Sequence, residues 1–184
     1  MRPVQAELAA ALRHHAIREG EFTLASGRTS NWYLDGRRLT FRGDALDLVG
    51  RAVVEALDAA GVDTFDSVGG LELGAVPVAL AVARESGTRA FAVRKDAKAH
   101  GVGGRIAGPL EAGDRVVVVE DTATTGASLL AALDAVVASD LDCRVVGVSL
   151  LLDRGGTLAA ELERRGVTYA PVLGAPDLGY PYGS

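Results

Sequence analysis

The sequence predicts an α/β protein with a central, mainly parallel sheet flanked by helices on both faces. Three observations predict it. Val116-Val117-Val118-Val119 is a continuous apolar run and residues 145–152 are one broken only by Ser149, the pattern of strands buried on both faces. Stretches with helical spacing alternate with such runs along the chain. The chain has 184 residues, 48% of them hydrophobic, which suits one domain (1–184) with a substantial core.

In order, residues 3–19 read as a helix, with Pro3 in the first turn, apolar Val4, Leu8, Ala11, Leu12 and Ile17, and Gly20 as the stop. His14 and His15 lack metal-ligand spacing to any partner and read as structural or solvent-facing. Short apolar pieces flank Ser26-Gly27-Arg28, predicting a hairpin or bent extended segment over 21–35. Residues 44–60 form an amphipathic helix through Leu46, Leu48, Val49, Val53, Val54 and Leu57, closed by Gly61. Ser67-Val68-Gly69-Gly70 ends a short strand, and a helix follows over about 78–85. Close backbone approach at Gly69, Gly70 and Gly74 would admit a diphosphate, although an ordinary turn entering a helix reads the same way.

Residues 90–93 form a strand that opens into a long loop over 94–105, carrying Arg94, Lys95, Lys98 and His100 among glycines. The plain reading is a solvated charged loop. Its cationic character, its histidine among lysines and its glycine hinges favour a loop that closes over an anionic group and excludes water. A helix is expected over about 127–138 and the second continuous strand over 145–152. Arg154 then stands just past a buried strand's carboxyl end, on the ligand side of a parallel sheet. Its planar fork suits a carboxylate or the edge of a pyrimidine dione, with a structural arginine as the alternative. A helix over 158–165 and a last strand over 168–173 complete the set.

Composition excludes several classes. No apolar run approaches the roughly 20 residues of a membrane span, and no apolar leader precedes the first helix, so a cytoplasmic protein is expected. Cys143 is the single cysteine, leaving no intrachain disulfide or cysteine cluster; it reads as a small buried side chain beside a strand. The net charge of −5 argues against a general nucleic-acid surface. Residues 84–105 nevertheless carry six basic residues against two acids, net +4 in a chain that is otherwise −9. A basic island in an acidic chain fits a compact polyanion.

The most informative stretch follows the valine run: Glu120-Asp121-Thr122-Ala123-Thr124-Thr125-Gly126-Ala127-Ser128. It reads as a strand end with two carboxylates, a tight loop and a helix N-terminus. Closely spaced N–H groups and hydroxyls over Thr122, Ala123, Thr124, Thr125, Gly126, Ala127 and Ser128 suit a phosphate. Carboxylates beside it suit sugar hydroxyls or a hydrated Mg²⁺. Together they describe a ribose 5-phosphate site. The bland alternative is an ordinary helix capped by Thr124 or Thr125. Neither a Walker A loop nor a dinucleotide fingerprint is present, since Ile106 stands where the third glycine of 101–106 should be.

This segment resembles the 5-phosphoribosyl 1-diphosphate (PRPP) loop of type I phosphoribosyltransferases. The strings Ser26-Gly27-Arg28 and 94–105 resemble the hood and catalytic loop of orotate phosphoribosyltransferases in particular. Four motifs in the family's order span 22–178. The resemblance implies the type I phosphoribosyltransferase fold, with a small N-terminal hood from about residues 1–40. It implies that Glu120 and Asp121 bind the ribose hydroxyls, that 122–128 bind the 5-phosphate, and that Arg94, Lys95, Lys98 and His100 contact diphosphate. Lys98, His100 and Asp121 would carry the catalysis, and Thr124 and Arg154 would contact orotate. Mg²⁺ is the implied cofactor, held mainly by PRPP and water without a direct protein ligand. The implied partners are orotate, PRPP and a second copy of the chain, with the basic loop shared across a homodimer, and neither nucleic acid nor membrane. Ala25 stands where many members of that family carry lysine, and Leu73 where some do. The implied activity gives orotidine 5-phosphate and diphosphate in pyrimidine synthesis. A purine-type phosphoribosyltransferase and a non-catalytic PRPP-sensing regulator are the rival readings.

Overall fold

Pro3 opens α1 (Pro3–His15), which buries Val4, Leu8, Ala9 and Leu12. The structure is a computed structural model that describes residues 1–23, 29–96 and 104–183. The helix ends four residues before the expected Glu19. The chain turns at Ala16 into β1 (Ile17–Thr23), which pairs antiparallel with β2 (Thr29–Leu34). Pairing of Ile17 with Leu34 and of Phe22 with Ser30 gives this segment tertiary partners that outweigh its helical propensity. The expected hairpin is therefore present, with its Ser26-Gly27-Arg28 tip and Ala25 outside the described residues.

A short α2 (Arg37–Thr40) and a 3-10 turn (Gly43–Ala45) lead into α3 (Leu46–Ala59), whose Val49, Ala52, Val53, Ala56 and Leu57 face inward. There follow β3 (Ser67–Leu71), α4 (Ala75–Ser86) and β4 (Arg89–Val93). The fourth helix starts three residues earlier than expected, because Pro77 sits in its first turn, where a missing N–H breaks no helical bond. Next come β5 (Ile106–Ala107), β6 (Arg115–Ala123), α5 (Ala127–Val137), β7 (Arg144–Asp153) and α6 (Leu158–Arg164). The expected strand over 168–173 is split into β8 (Thr168–Tyr169) and β9 (Leu173–Gly174), since Pro171 between them has no N–H for a ladder. A second 3-10 turn, Ala175–Leu178, closes the fold.

The main sheet runs β5-β4-β3-β6-β7-β8, with β9 also on β7. All pairings are parallel except the short β4–β5 edge. Val117 and Val119 pack with α1, α3, α4 and Trp32 on one face, while Val116 and Val118 pack with α5 and α6 on the other. All four valines are fully buried, as the doubly apolar run predicts.

Strand order places the site. From β3 the chain crosses to β4 on one side, and from β6 it crosses to β7 on the other. The crevice between the carboxyl ends of β3 and β6 is thus a topological switch point, where parallel sheets bind ligands.

The basic island is partly structural. Arg84 pairs with Asp47 at 2.9 Å, Arg89 with Asp114 at 2.6 Å, and the Arg105 Nε donates to the Arg94 carbonyl at 2.9 Å. Cys143 is only half-buried, with its Sγ 3.3 Å from the Glu111 carbonyl oxygen, because it precedes β7 instead of lying within it. No helix among the described residues is long and apolar enough to cross a membrane.

Candidate active site

The strand β6 runs further than its sequence suggests, so Glu120 and Asp121 lie within its last pairs and the loop shortens to Thr124–Gly126. Pairing of Glu120 with Leu150 and of Thr122 with Leu152 fixes both acids on a rigid element. The two carboxyls face a cavity of about 320 Å³. Glu72, Leu73 and Gly74 line it from the end of β3, and Tyr33, Asp35, Gly36 and Arg37 line it from the hairpin side. A Cβ on Gly74 would lie 3.1 Å from the Glu120 Oε1, and one on Gly36 would lie 2.7 Å from the Asp121 Oδ2. A side chain at Gly36 would therefore push the Asp121 carboxyl aside, and one at Gly74 would press on Glu120 by a few tenths of an ångström.

A second cavity of about 130 Å³ adjoins the first, with Glu120, Thr122 and Ser128 common to both. Its lining contains every residue from Thr122 to Ser128. The first bond of α5 runs from the Leu130 N–H to the Gly126 carbonyl, so the N–H groups of the preceding turn have no partner within the helix. Gly126, at φ +74°, turns the chain into that helix, and neither Thr124 nor Thr125 caps it as the bland alternative requires. The Thr125 hydroxyl only approaches the Ala127 N–H, at 3.5 Å. N–H groups, hydroxyls and the positive end of a helix thus converge on a space of phosphate size.

Electrostatics sharpen the picture. Glu120 is 6% exposed, and burial, with the charge of Asp121 adding to it, pushes its carboxyl up to about 8. Burial also raises Asp121, opposed by the Thr122 N–H at 2.7 Å and by the Arg37 guanidinium. Burial and their mutual repulsion thus disfavour full ionisation of the pair. A buried acidic pair of this kind marks a site built for a hydroxyl- or cation-rich guest.

The remaining predicted residues fall as follows. Lys95 lines the main cavity, and its backbone N–H donates to the Glu72 Oε1 at 2.9 Å. Arg94 lines neither cavity; its N–H donates to the Arg105 carbonyl at 2.7 Å. Lys98 and His100 lie outside the described residues. Leu73 is exposed on the cavity rim, and its peptide bond to Glu72 is cis. Thr124 belongs to the smaller cavity alone. Arg154 follows β7, with its N–H bonded to the Ala123 carbonyl at 2.8 Å and its guanidinium over the Trp32 ring. Sequence reading missed Tyr33, Asp35, Gly36, Arg37 and Glu72 as lining residues, and Trp32 and Tyr180 as the stack beside Arg154. The Asp-Gly-Arg string after β2 was the available signal for the first group.

No family model matches the chain. Among curated proteins it is 45% identical over 179 residues to the orotate phosphoribosyltransferase of Mycobacterium tuberculosis H37Rv, covering 96% of this chain and 97% of that one. It is 43% identical over 177 residues to the orotate phosphoribosyltransferase of Corynebacterium glutamicum, covering 95% and 94%. Among solved structures, the Mycobacterium tuberculosis H37Rv enzyme in complex with PRPP superposes with a TM-score of 0.79 at 40% identity, covering 97% of this chain and 100% of that one.

Proposed function

The chain belongs to the orotate phosphoribosyltransferase family, and from that premise we propose how its cleft transfers a phosphoribosyl group from PRPP to orotate. The purine-type and regulatory readings fall away against relatives of this similarity. What supports the reading most is one observation: the Glu120–Asp121 pair lies at the β3–β6 switch point, with both acids on a large cavity and Glu120 on the seam with a phosphate-sized one.

In this reading the 5-phosphate of PRPP occupies the smaller cavity, on the N–H groups and hydroxyls of residues 122–128. The ribose hydroxyls meet Glu120 and Asp121. The diphosphate extends into the larger cavity toward Gly74 and Lys95, where Arg94, Lys98 and His100 complete its cationic cover. Arg154 and Thr124 border the base, with Arg154 offering its fork to the orotate carboxylate or dione edge. Departure of diphosphate from C1 leaves an oxocarbenium-like centre, which the orotate ring nitrogen captures. The acidic pair favours that cation, and the basic residues offset charge growing on the leaving group.

The donor set fits Mg²⁺ as a companion of PRPP. Glu120, Asp121 and Glu72 border the cleft, yet among the described residues no three metal-ligating side chains converge. When bound, the ion neutralises diphosphate charge and polarises it for departure. Glu120 and Asp121 would hold it through its water shell. The whole chain acts as one catalytic domain of a cytoplasmic homodimer, each basic loop serving the partner's site.

Loss of orotate absorbance on adding PRPP and Mg²⁺ tests the reading. Turnover is expected with orotate and not with hypoxanthine or adenine; the reverse preference would overturn it.

A further inference from the structure

The walls of the larger cavity are mostly acidic. Asp35, Glu72, Glu120 and Asp121 line it, against Arg37 and Lys95 as the cations among the described lining residues. Lys95 is tied to the end of β3 by its backbone N–H, which Glu72 accepts. Leu73 on that rim is exposed and offers no charge. Arg37 lines the cavity from the hairpin side, and backbone bonds fix its place there. The Asp35 N–H donates to the Ala16 carbonyl at 3.0 Å, the Arg38 N–H to the Asp35 carbonyl at 3.1 Å, and the Phe41 N–H to the Arg37 carbonyl at 3.0 Å. Gly36 packs so closely on the acidic pair that a Cβ there would lie 2.7 Å from the Asp121 Oδ2. The helix α2 therefore starts against Asp121. The Arg37 side chain is 53% exposed. Among the described residues its guanidinium has one hydrogen-bond partner, through Nε to the Asp35 Oδ1 at 2.8 Å. Burial raises the Asp121 carboxyl, and the Arg37 charge is among the groups that oppose the rise.

We propose that Arg37 is a further binding residue for PRPP, gripping its diphosphate from the hairpin wall of the cleft. The proposal rests on the reading that the diphosphate fills the larger cavity, and adds a residue with no assigned part in the reaction. An exposed ion pair such as Arg37–Asp35 contributes little to folding, so stability alone does not account for an arginine on this wall. The Nε bond to Asp35 instead sets the plane of the guanidinium. It leaves both terminal nitrogens for phosphate oxygens, which a planar fork engages two at a time. A side chain oriented before binding loses less freedom when the anion arrives. Arg37 is one residue from the glycine packed on Asp121, so its cation stands beside an acid that meets the ribose. The group on C1 of that ribose is the diphosphate. Arg37 and Lys95 thus approach it from separate walls and offset the repulsion of the four carboxyls around it.

Calorimetry on the full chain with Mg²⁺, comparing PRPP with ribose 5-phosphate, tests the proposal, because the second ligand lacks only the diphosphate. Arg37→Ala should weaken PRPP binding about tenfold or more, as loss of a charge-assisted contact does, and leave ribose 5-phosphate binding within about twofold. Arg37→Lys keeps the charge without the fork and should recover part of the loss. In turnover, Arg37→Ala should raise the PRPP KM and leave the orotate KM within about twofold. An unchanged PRPP affinity in Arg37→Ala, equal losses for PRPP and ribose 5-phosphate, or no recovery in Arg37→Lys would overturn the role of Arg37 alone. A wild-type protein that binds ribose 5-phosphate as tightly as PRPP would overturn the placement of the diphosphate in the cleft, and the role of Arg37 with it.

Discussion

Glu120→Gln should make the protein more stable and less active, and the gain should depend on pH. In the unfolded chain the Glu120 carboxyl ionises at its ordinary value of 4.5, whereas in the fold burial holds it near 8. Between those values the native state keeps a proton that the unfolded state has lost. Unfolding free energy therefore falls as pH rises through that window. At pH 7, about 2.5 pH units into it, the loss is on the order of 3 kcal/mol at about 1.4 kcal/mol per unit. Glutamine cannot ionise and escapes this loss. It also keeps the side-chain oxygen that accepts the Asp121 N–H at 3.2 Å and can donate to the neighbouring carboxyl. The expected gain is about 3 kcal/mol at pH 7, on the order of 6–12 °C in melting temperature for a domain of this size. It should shrink toward zero below pH 5. Thermal unfolding at pH 5, 7 and 8, with turnover measured beside it, checks this. A Gln variant that melts earlier at pH 8, or a gain equal at pH 5 and pH 8, would refute the reasoning and make Glu120 a structural group.

Three further outcomes follow from the geometry. Arg154→Ala should weaken orotate binding by tenfold or more, on the order of a lost charge-assisted pair, with PRPP binding nearly unchanged by calorimetry; equal losses would remove its base-side role. Gly126→Ala forces a left-handed φ of +74° on a residue with a Cβ and sets that atom 2.5 Å from the Leu158 Cδ1. It should cost about 2 kcal/mol or more in chemical unfolding and weaken PRPP binding. Lys98→Ala and Asp121→Asn homodimers should each be nearly inactive, yet co-refolded in equal amounts they should recover roughly a quarter of wild-type activity if sites are shared across a twofold axis. Mixed dimers that form but stay inactive would refute the shared loop.

The sheet was legible because its central strands are buried on both faces, and a run such as Val116 to Val119 has few other uses. The phosphate loop was legible for a different reason: a run of small and hydroxylated residues between a strand and a helix is itself the binding surface. Elements decided by distant partners were harder to read. Ile17 to Glu19 continue a helical pattern locally and become a strand only because β2 lies alongside. The short β5 edge exists through its antiparallel contact with β4 and has no pattern of its own. Charges misled where fold and function draw on the same residue types. Arg84 and Arg89 belong to the basic island in sequence but to ion pairs with Asp47 and Asp114 in space. The protonation of Glu120 and the Trp32–Tyr180 stack under Arg154 depend on burial and on contacts across some 150 residues. No local spacing encodes those.

A crystal structure with PRPP and Mg²⁺ bound tests the central claim most directly. The 5-phosphate should lie in the pocket of residues 122–128 at the start of α5, with the two ribose hydroxyls within hydrogen-bond distance of Glu120 and Asp121. A phosphate held elsewhere, for instance by Arg18 and Arg38 beside the hairpin cavity, with the acidic pair facing no sugar, would contradict it.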